Sequence, residues 1–258
     1  MQVLIITDLE GIAGVDSIDM IDESTDGYRC ACEYLMADTN AAIDGAFAGG
    51  ADRVTVVDGH GSGQNFVPSL LDKRAEQISS YEFSHQTPAH YDALLCVGAH
   101  AMAGTQDAFL DHTQTSTKWF EYCINGTPQG ELGQQAYCLG HFGIPLVMAS
   151  GDEAACREAA WLVPNIATAC VKTAEGRNRA KSLPLDEAYR RIREAACDGV
   201  MRRKEIKPLS LQFPVELKLT FCRNDYCDLV MHEGLERNGR TVRKTIEKVD
   251  RYLDLVKF

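Results

Sequence analysis

The sequence predicts an α/β fold: a mainly parallel sheet flanked by helices, with a smaller α+β part at the C-terminal end. Two observations predict it. Short apolar runs at residues 3–6, 54–57, 94–97 and 144–149 alternate with segments of helical period, the pattern of strands buried on both faces and joined by crossover helices. Past residue 172 the pattern changes, and residues 215–221 alternate apolar and polar side chains, as a sheet with one wet face does. The chain therefore divides into an α/β part, residues 1–172, and a smaller α+β region, residues 173–258.

The first strand covers residues 3–6 and leads into a polar loop as far as Asp26. A helix follows over 28–47, with Leu35, Ala42, Ile43 and Phe47 among its apolar positions and Gly49-Gly50 closing it. Strands are expected at 54–57 and 91–97, with a weaker candidate at 77–81. Residues 119–124 run into Asn125-Gly126, a dipeptide suited to the left-handed dihedrals of a tight hairpin. A helix over 131–139, a strand over 144–149, a helix over 153–162 stopped before Pro164 and a strand over 166–171 complete the first part. In the second, a helix spans 185–202, with Ser182 as candidate N-cap and Pro184 in its first turn. Arg237-Asn238-Gly239-Arg240 reads as a turn, and 245–258 as an amphipathic helix with Ile246, Val249, Leu253 and Val256 on one face.

The formal charge of −11 disfavours nucleic acid and anionic membranes as partners, because both repel an acidic surface. No run reaches the roughly 18 apolar residues of a membrane span. The opening Met1-Gln2-Val3-Leu4-Ile5-Ile6 has no basic leader and is interrupted at once by Thr7-Asp8-Leu9-Glu10, so it reads as a core strand and not as a secretion signal. The expected location is the cytoplasm. The ten cysteines are scattered without CxxC spacing and read as reduced thiols that pack like small apolar side chains.

Chemistry concentrates where strands end. Residues 3–6 run into Asp8 and Glu10, residues 54–57 into Asp58 and His60, and residues 94–97 into His100. In an open α/β sheet ligands bind just beyond the carboxyl ends of the strands. Three neighbouring strands would therefore gather carboxylates and imidazoles at one rim, a donor set that suits zinc or another divalent ion. In an extended segment residues two apart point the same way, so Asp8 and Glu10 converge while Leu9 faces the core. Carboxylates so close repel unless a cation lies between them or one is protonated. Taken singly, each feature has a plain structural reading: a solvated loop start for Asp8-Leu9-Glu10, a loop histidine for His60, a packed one for His100. Glu131, at the start of a helix, is favoured there by the macrodipole in any case. Asp58 is a candidate to orient an imidazole. His112 lies in a polar loop, and its reference pKa suits acid–base work near neutrality. Neither an H-E-x-x-H helix nor a G-x-S-x-G elbow is present.

The strings Asp8-Leu9-Glu10-Gly11-Ile12-Ala13-Gly14, Asp58-Gly59-His60-Gly61 and Gly98-Ala99-His100-Ala101-Met102-Ala103-Gly104-Thr105 resemble the M55 peptidase family of DppA-type, zinc-dependent D-aminopeptidases. Leu110-Asp111-His112-Thr113, Gly130-Glu131-Leu132-Gly133 and Ser150-Gly151-Asp152 continue the likeness over most of residues 1–155. The resemblance implies two Zn2+ per chain held by Asp8, Glu10, His60, His100 and Glu131, with Asp8 bridging and His112 as the catalytic histidine, all within the α/β part. It further implies hydrolysis of the N-terminal peptide bond of short peptides, with a D-alanine-like preference, in a ring-like homo-oligomer, a decamer in the family. Two departures from the family are Ile6-Thr7, where a serine commonly stands two residues before the aspartate, and Leu9, often methionine; neither is an implied ligand. A metal-dependent amidase or deacylase acting on a non-peptide amide is the nearer alternative, and a non-enzymatic protein with a structural metal the farther one.

Overall fold

The computed structural model describes all 258 residues except Ala89. In chain order the elements are β1 (Gln2–Thr7), α1 (Asp26–Ala48), β2 (Arg53–Asp58), β3 (Ala75–Ile78), α2 (Ser80–His85), β4 (Ala93–Ala99), β5 (Trp119–Ile124), β6 (Thr127–Pro128), α3 (Glu131–His141), β7 (Leu146–Asp152), α4 (Glu153–Leu162) and β8 (Ala167–Gly176). They continue through β9 (Arg179–Ser182), α5 (Leu185–Met201), β10 (Val215–Phe221), α6 (Asp225–Val230), β11 (Glu236–Asn238), β12 (Thr241–Ile246) and α7 (Leu253–Val256).

The larger sheet has the order β3-β2-β1-β4-β7-β8-β9, parallel throughout except for the antiparallel edge pair β8–β9. β1, β4 and β7 are buried along nearly their whole length, which accounts for their continuous apolar sequences. The expected mainly parallel α/β fold is thus present. β1 is the pivot: the next strand in sequence, β2, pairs on one side of it, and β4 pairs on the other. Helix α1 begins at Thr25, whose hydroxyl accepts the Tyr28 amide, and its buried face carries Leu35, Met36, Ala42 and Ile43.

The second sheet, β11-β12-β10-β5-β6, is antiparallel. Its middle strand β10 alternates buried and less buried residues as its sequence predicts. The Asn125-Gly126 turn between β5 and β6 takes positive φ at both residues, 47° and 78°, the dihedrals a two-residue hairpin needs. This hairpin joins the sheet built mainly from the C-terminal region, a pairing that its local sequence does not reveal. Tyr122 fastens the two by donating its buried hydroxyl to the Leu255 carbonyl at 2.9 Å.

Four local expectations need correction. The terminal helix over 245–258 is largely absent: residues 241–246 instead form β12, because they pair with β10 throughout and with β11 over Thr241–Arg243, and only Leu253–Val256 is helical. The weak strand at 77–81 ends at Ile78, and Ser79 caps a short helix, α2, in its place. The strand expected at 166–171 continues to Gly176 and turns back as β9. Ser182 does not cap α5; its hydroxyl donates to Asp16 at 2.6 Å and accepts the Gly14 amide at 2.8 Å, leaving Pro184 at the helix start.

Candidate metal centre

Thr7 pairs with Asp58 on one side and Val97 on the other, so the carboxyl ends of β1, β2 and β4 coincide at one rim, at the point where the strand order reverses. The loop after β1 lies directly on the end of β4. Asp8 donates its amide to the Val97 carbonyl and Gly11 its amide to that of Gly98, both at 2.8 Å. A Cβ on Gly11 would come within 2.1 Å of the Ala99 carbonyl oxygen, so this approach requires glycine. Leu9 is fully buried between the two carboxylates, as alternation predicts.

Asp8, Glu10, His60, His112 and Glu131 line a cavity of about 670 Å³, and His100 lies behind it against Asp8 and Glu131. His60 Nδ1 is 3.1 Å from Asp8 Oδ1 and 3.0 Å from Glu10 Oε2. His100 Nε2 is 3.2 Å from Asp8 Oδ2 and 3.4 Å from Glu131 Oε1. His112 Nε2 is 3.8 Å from Glu131 Oε1 and 3.9 Å from Glu10 Oε1, and its ring stacks on that of His100 at 3.9 Å between centroids, 9° apart. Every site residue the sequence singled out is therefore in one cluster.

The cluster calls for positive charge. Burial raises the pKa of Asp8 and the neighbouring Glu10 charge raises it further, only partly offset by His100 and His60. For Glu10 burial acts upwards too, but His60, His100 and His112 outweigh it and hold the carboxyl well below its usual value. Burial opposes the imidazolium form of His60, yet Glu10 and Asp8 push its pKa up to about 11. His100 follows the same balance, raised well above the ordinary imidazole value by Asp8 and Glu131.

The hydrogen bonds show why a cation fits. His100 Nδ1 lies 3.0 Å from the Ala101 carbonyl, and His112 Nδ1 2.7 Å from that of Leu110. A carbonyl only accepts, so both Nδ1 atoms carry a proton and each Nε2 faces carboxylates. His100 Nε2 is buried without an aligned hydrogen bond. A buried lone pair facing two carboxylate oxygens is repulsive unless a proton or a metal ion lies between them. Within the cluster, ligand atoms of Asp8, Glu10 and His100, and those of His100, His112 and Glu131, form two groups, each with its atoms within 4.8 Å of one another. Nitrogen and carboxylate oxygen in such groups are zinc donors.

The surroundings fix these side chains. Glu131 opens α3 and accepts the Gln114 amide at 2.7 Å. Asp58 holds the His60 loop through its backbone: it accepts the His60 amide at 3.3 Å, the Asn65 amide at 2.5 Å and the Phe66 amide at 3.3 Å. The expected contact from Asp58 to an imidazole ring is replaced by this grip on main chain. Sequence reasoning missed two supports. Lys172, 1% exposed, donates from Nζ to the Glu10 carbonyl at 2.8 Å and to that of Val15. Glu158 accepts the Met102 amide at 2.7 Å, behind His100. A charged residue closing the apolar run Ile166–Val171, as Lys172 does, was the available signal for the first; nothing local marked the second.

An open α/β sheet whose switch point gathers carboxylates and imidazoles in a cavity has the donor set of a metal-dependent enzyme. The M55 peptidase model, described as D-aminopeptidase, matches residues 1–258, and the chain belongs to that family. A curated relative, a D-aminopeptidase of Bacillus subtilis (strain 168), is 29% identical over 214 residues, covering 81% of this chain and 77% of the relative. Among solved structures, the Zn-dependent D-aminopeptidase DppA from Bacillus subtilis, described as a self-compartmentalizing protease, superposes with a TM-score of 0.92 at 26% identity, covering 99% of this chain and 95% of that one.

Proposed function

We propose that this chain is a binuclear zinc aminopeptidase that hydrolyses the N-terminal peptide bond of short peptides, with a preference for a D-amino acid resembling D-alanine. The observation that carries the reading is His100 Nε2, buried, without an aligned hydrogen bond and directed at Asp8 and Glu131. Asp8, Glu10, His60, His100 and Glu131 would hold two ions, with Asp8 between them. When bound, zinc supplies a Lewis acid that polarises the scissile carbonyl and lowers the pKa of water towards about 7.

The protein's own contribution is placement and proton transfer. The Nδ1–H of His112 donates to the Leu110 carbonyl, the tautomer that directs Nε2 towards the cavity. In that tautomer Nε2 takes up a proton as the nucleophile is activated and returns it to the leaving amine. Stacking on His100 keeps the imidazole flat against the ligand cluster through both steps. Ile18, Ile21, Phe83 and Val256 supply apolar wall to the cavity, which favours uncharged side chains on the substrate. All six residues lie in the α/β part, residues 1–172, and the C-terminal region closes the cavity with Tyr252, Leu253 and Val256.

The self-compartmentalizing neighbour supports a homo-oligomer, and we place this chain in a ring-like assembly, a decamer by family resemblance. Among the described residues no helix is long and apolar enough to cross a membrane, in keeping with a cytoplasmic site of action. Metal analysis of purified protein, paired with turnover of D-alanyl and L-alanyl dipeptides, tests the reading. About two zinc ions per chain and faster turnover of the D-alanyl substrate are expected. A metal-free active enzyme overturns the metal centre. Turnover of acylated amines in preference to both peptides would assign the same centre to an amidase.

A further inference from the structure

The loop that carries His112 takes backbone conformations that non-glycine residues rarely adopt. Asp107, Leu110 and Gln114 all adopt left-handed backbone, with φ of 53°, 52° and 59°, and two of them stand two residues either side of His112. Phe109 and Gln114 tie the ends of the loop to Asp152 and Glu131, and its middle, around Asp111, is restrained by the turn between β8 and β9. The Arg177 carbonyl accepts the Leu110 amide at 2.7 Å. The Arg177 guanidinium approaches Asp111 Oδ1 with Nε at 3.1 Å, and donates from Nη2 to the Asp111 carbonyl at 3.1 Å. Asn178 Oδ1 accepts from Nη1 at 3.2 Å. The second Asp111 oxygen accepts the Gly104 amide at 2.7 Å, linking the same carboxylate to the loop that leaves His100.

We propose that Arg177 is a positioning residue for His112, acting through Asp111, the residue next to it in the chain. The inference rests on the catalytic reading of His112 given above. A planar guanidinium can grip the side chain and the main chain of one residue together, which the single ammonium of lysine does less well. The Arg177 side chain is 45% exposed and Asp111 14%. An ion pair so exposed adds little to global stability, so its loss releases the loop without unfolding the domain. Arg177 also borders the cavity, where a guanidinium is suited to anchor a substrate carboxylate, and the test has to separate the two roles.

Wild type, R177A, R177K and H112A, all zinc-loaded, are compared on a D-alanyl dipeptide and on its C-terminal amide. Zinc per chain and hydrogen–deuterium exchange of residues 107–114 are measured alongside. R177A is expected to lower kcat about 10–100-fold, the cost of a catalytic group displaced by about an ångström. KM should stay within about twofold on both substrates, zinc content should be unchanged, and loop exchange should quicken; R177K should recover part of both kcat and protection. Wild-type kcat or wild-type loop exchange in R177A overturns the proposal. So does a rise in KM for the free-carboxylate peptide alone, which assigns Arg177 to substrate binding. Full activity in H112A would overturn the catalytic reading of His112; loop exchange in R177A then decides the positioning role on its own, upheld by faster exchange and overturned by none.

Discussion

Replacing Asp38 with asparagine should stabilise the protein, by an amount that grows with pH. Asp38 is completely buried on α1; one oxygen accepts the Ala13 amide at 2.9 Å and the other has no partner. Burial outweighs both that amide and the nearby Lys172 charge, pushing the carboxyl up to about 7 from 3.8. Between about pH 4 and pH 7 the folded chain holds a proton that the unfolded chain has released, so stability falls as pH rises through this window. A shift of about three pKa units corresponds to about 4 kcal/mol, fully developed above pH 7. Asparagine carries no charge in either state, keeps an acceptor for Ala13 and turns the orphaned oxygen position into a donor. Zinc-loaded wild type and D38N are compared by thermal melting at one protein concentration, at pH 5.5 and pH 8.5. For a chain of this size, about 4 kcal/mol raises Tm on the order of 10 °C at pH 8.5, with about half that gap at pH 5.5. An equal gap at the two pH values, or a D38N protein that melts below wild type at pH 8.5, refutes the argument.

Other outcomes follow from the same geometry. H100Q should lose most of its zinc, read by metal analysis, while the apo protein retains its far-ultraviolet circular dichroism; full zinc occupancy would remove His100 from the ligand set. G11A should lower both zinc content and Tm, because its Cβ meets the Ala99 carbonyl and overpacking costs about 1–3 kcal/mol. Y122F leaves the buried Leu255 carbonyl without its donor and should cost about 1–3 kcal/mol in urea unfolding, with little change in kcat. H112A should abolish turnover and keep about two zinc ions per chain; loss of metal would make His112 a ligand.

How much of this was legible in the sequence depended on whether the determining contact was local. The rim of Asp8, Glu10, His60 and His100 could be read because each residue stands a few positions past an apolar run, and parallel strands bring such positions together whatever the details of pairing. The Asn125-Gly126 turn was legible for a similar reason: its dihedrals are set within two residues. Which sheet that hairpin joins depends on β10, some ninety residues later, and no local signal carries it. The misread terminal helix makes the same point. Ile246, Val249, Leu253 and Val256 share a helical spacing, yet Ile246 sits opposite Val215 in a strand, and pairing with β10 outweighed the period.

Asp58, Lys172 and Arg177 show where sequence reasoning stops and why. Much of what all three do is on main-chain atoms: Asp58 accepts amides of the His60 loop, Lys172 donates to the Glu10 carbonyl, and Arg177, besides its ion pair with Asp111, donates to the Asp111 carbonyl. Every residue carries the same amide and carbonyl, so a contact of this kind by itself leaves no complementary side chain elsewhere in the chain to be noticed. Metal ligands betray themselves by type, since only a few side chains offer the right donor atoms. The groups that hold those ligands still do not. The β8–β9 hairpin, which supplies both Lys172 and Arg177, braces the carboxylate loop after β1 from one end and the His112 loop from the other. Substitutions in this hairpin should therefore disturb the centre while leaving every donor atom in place.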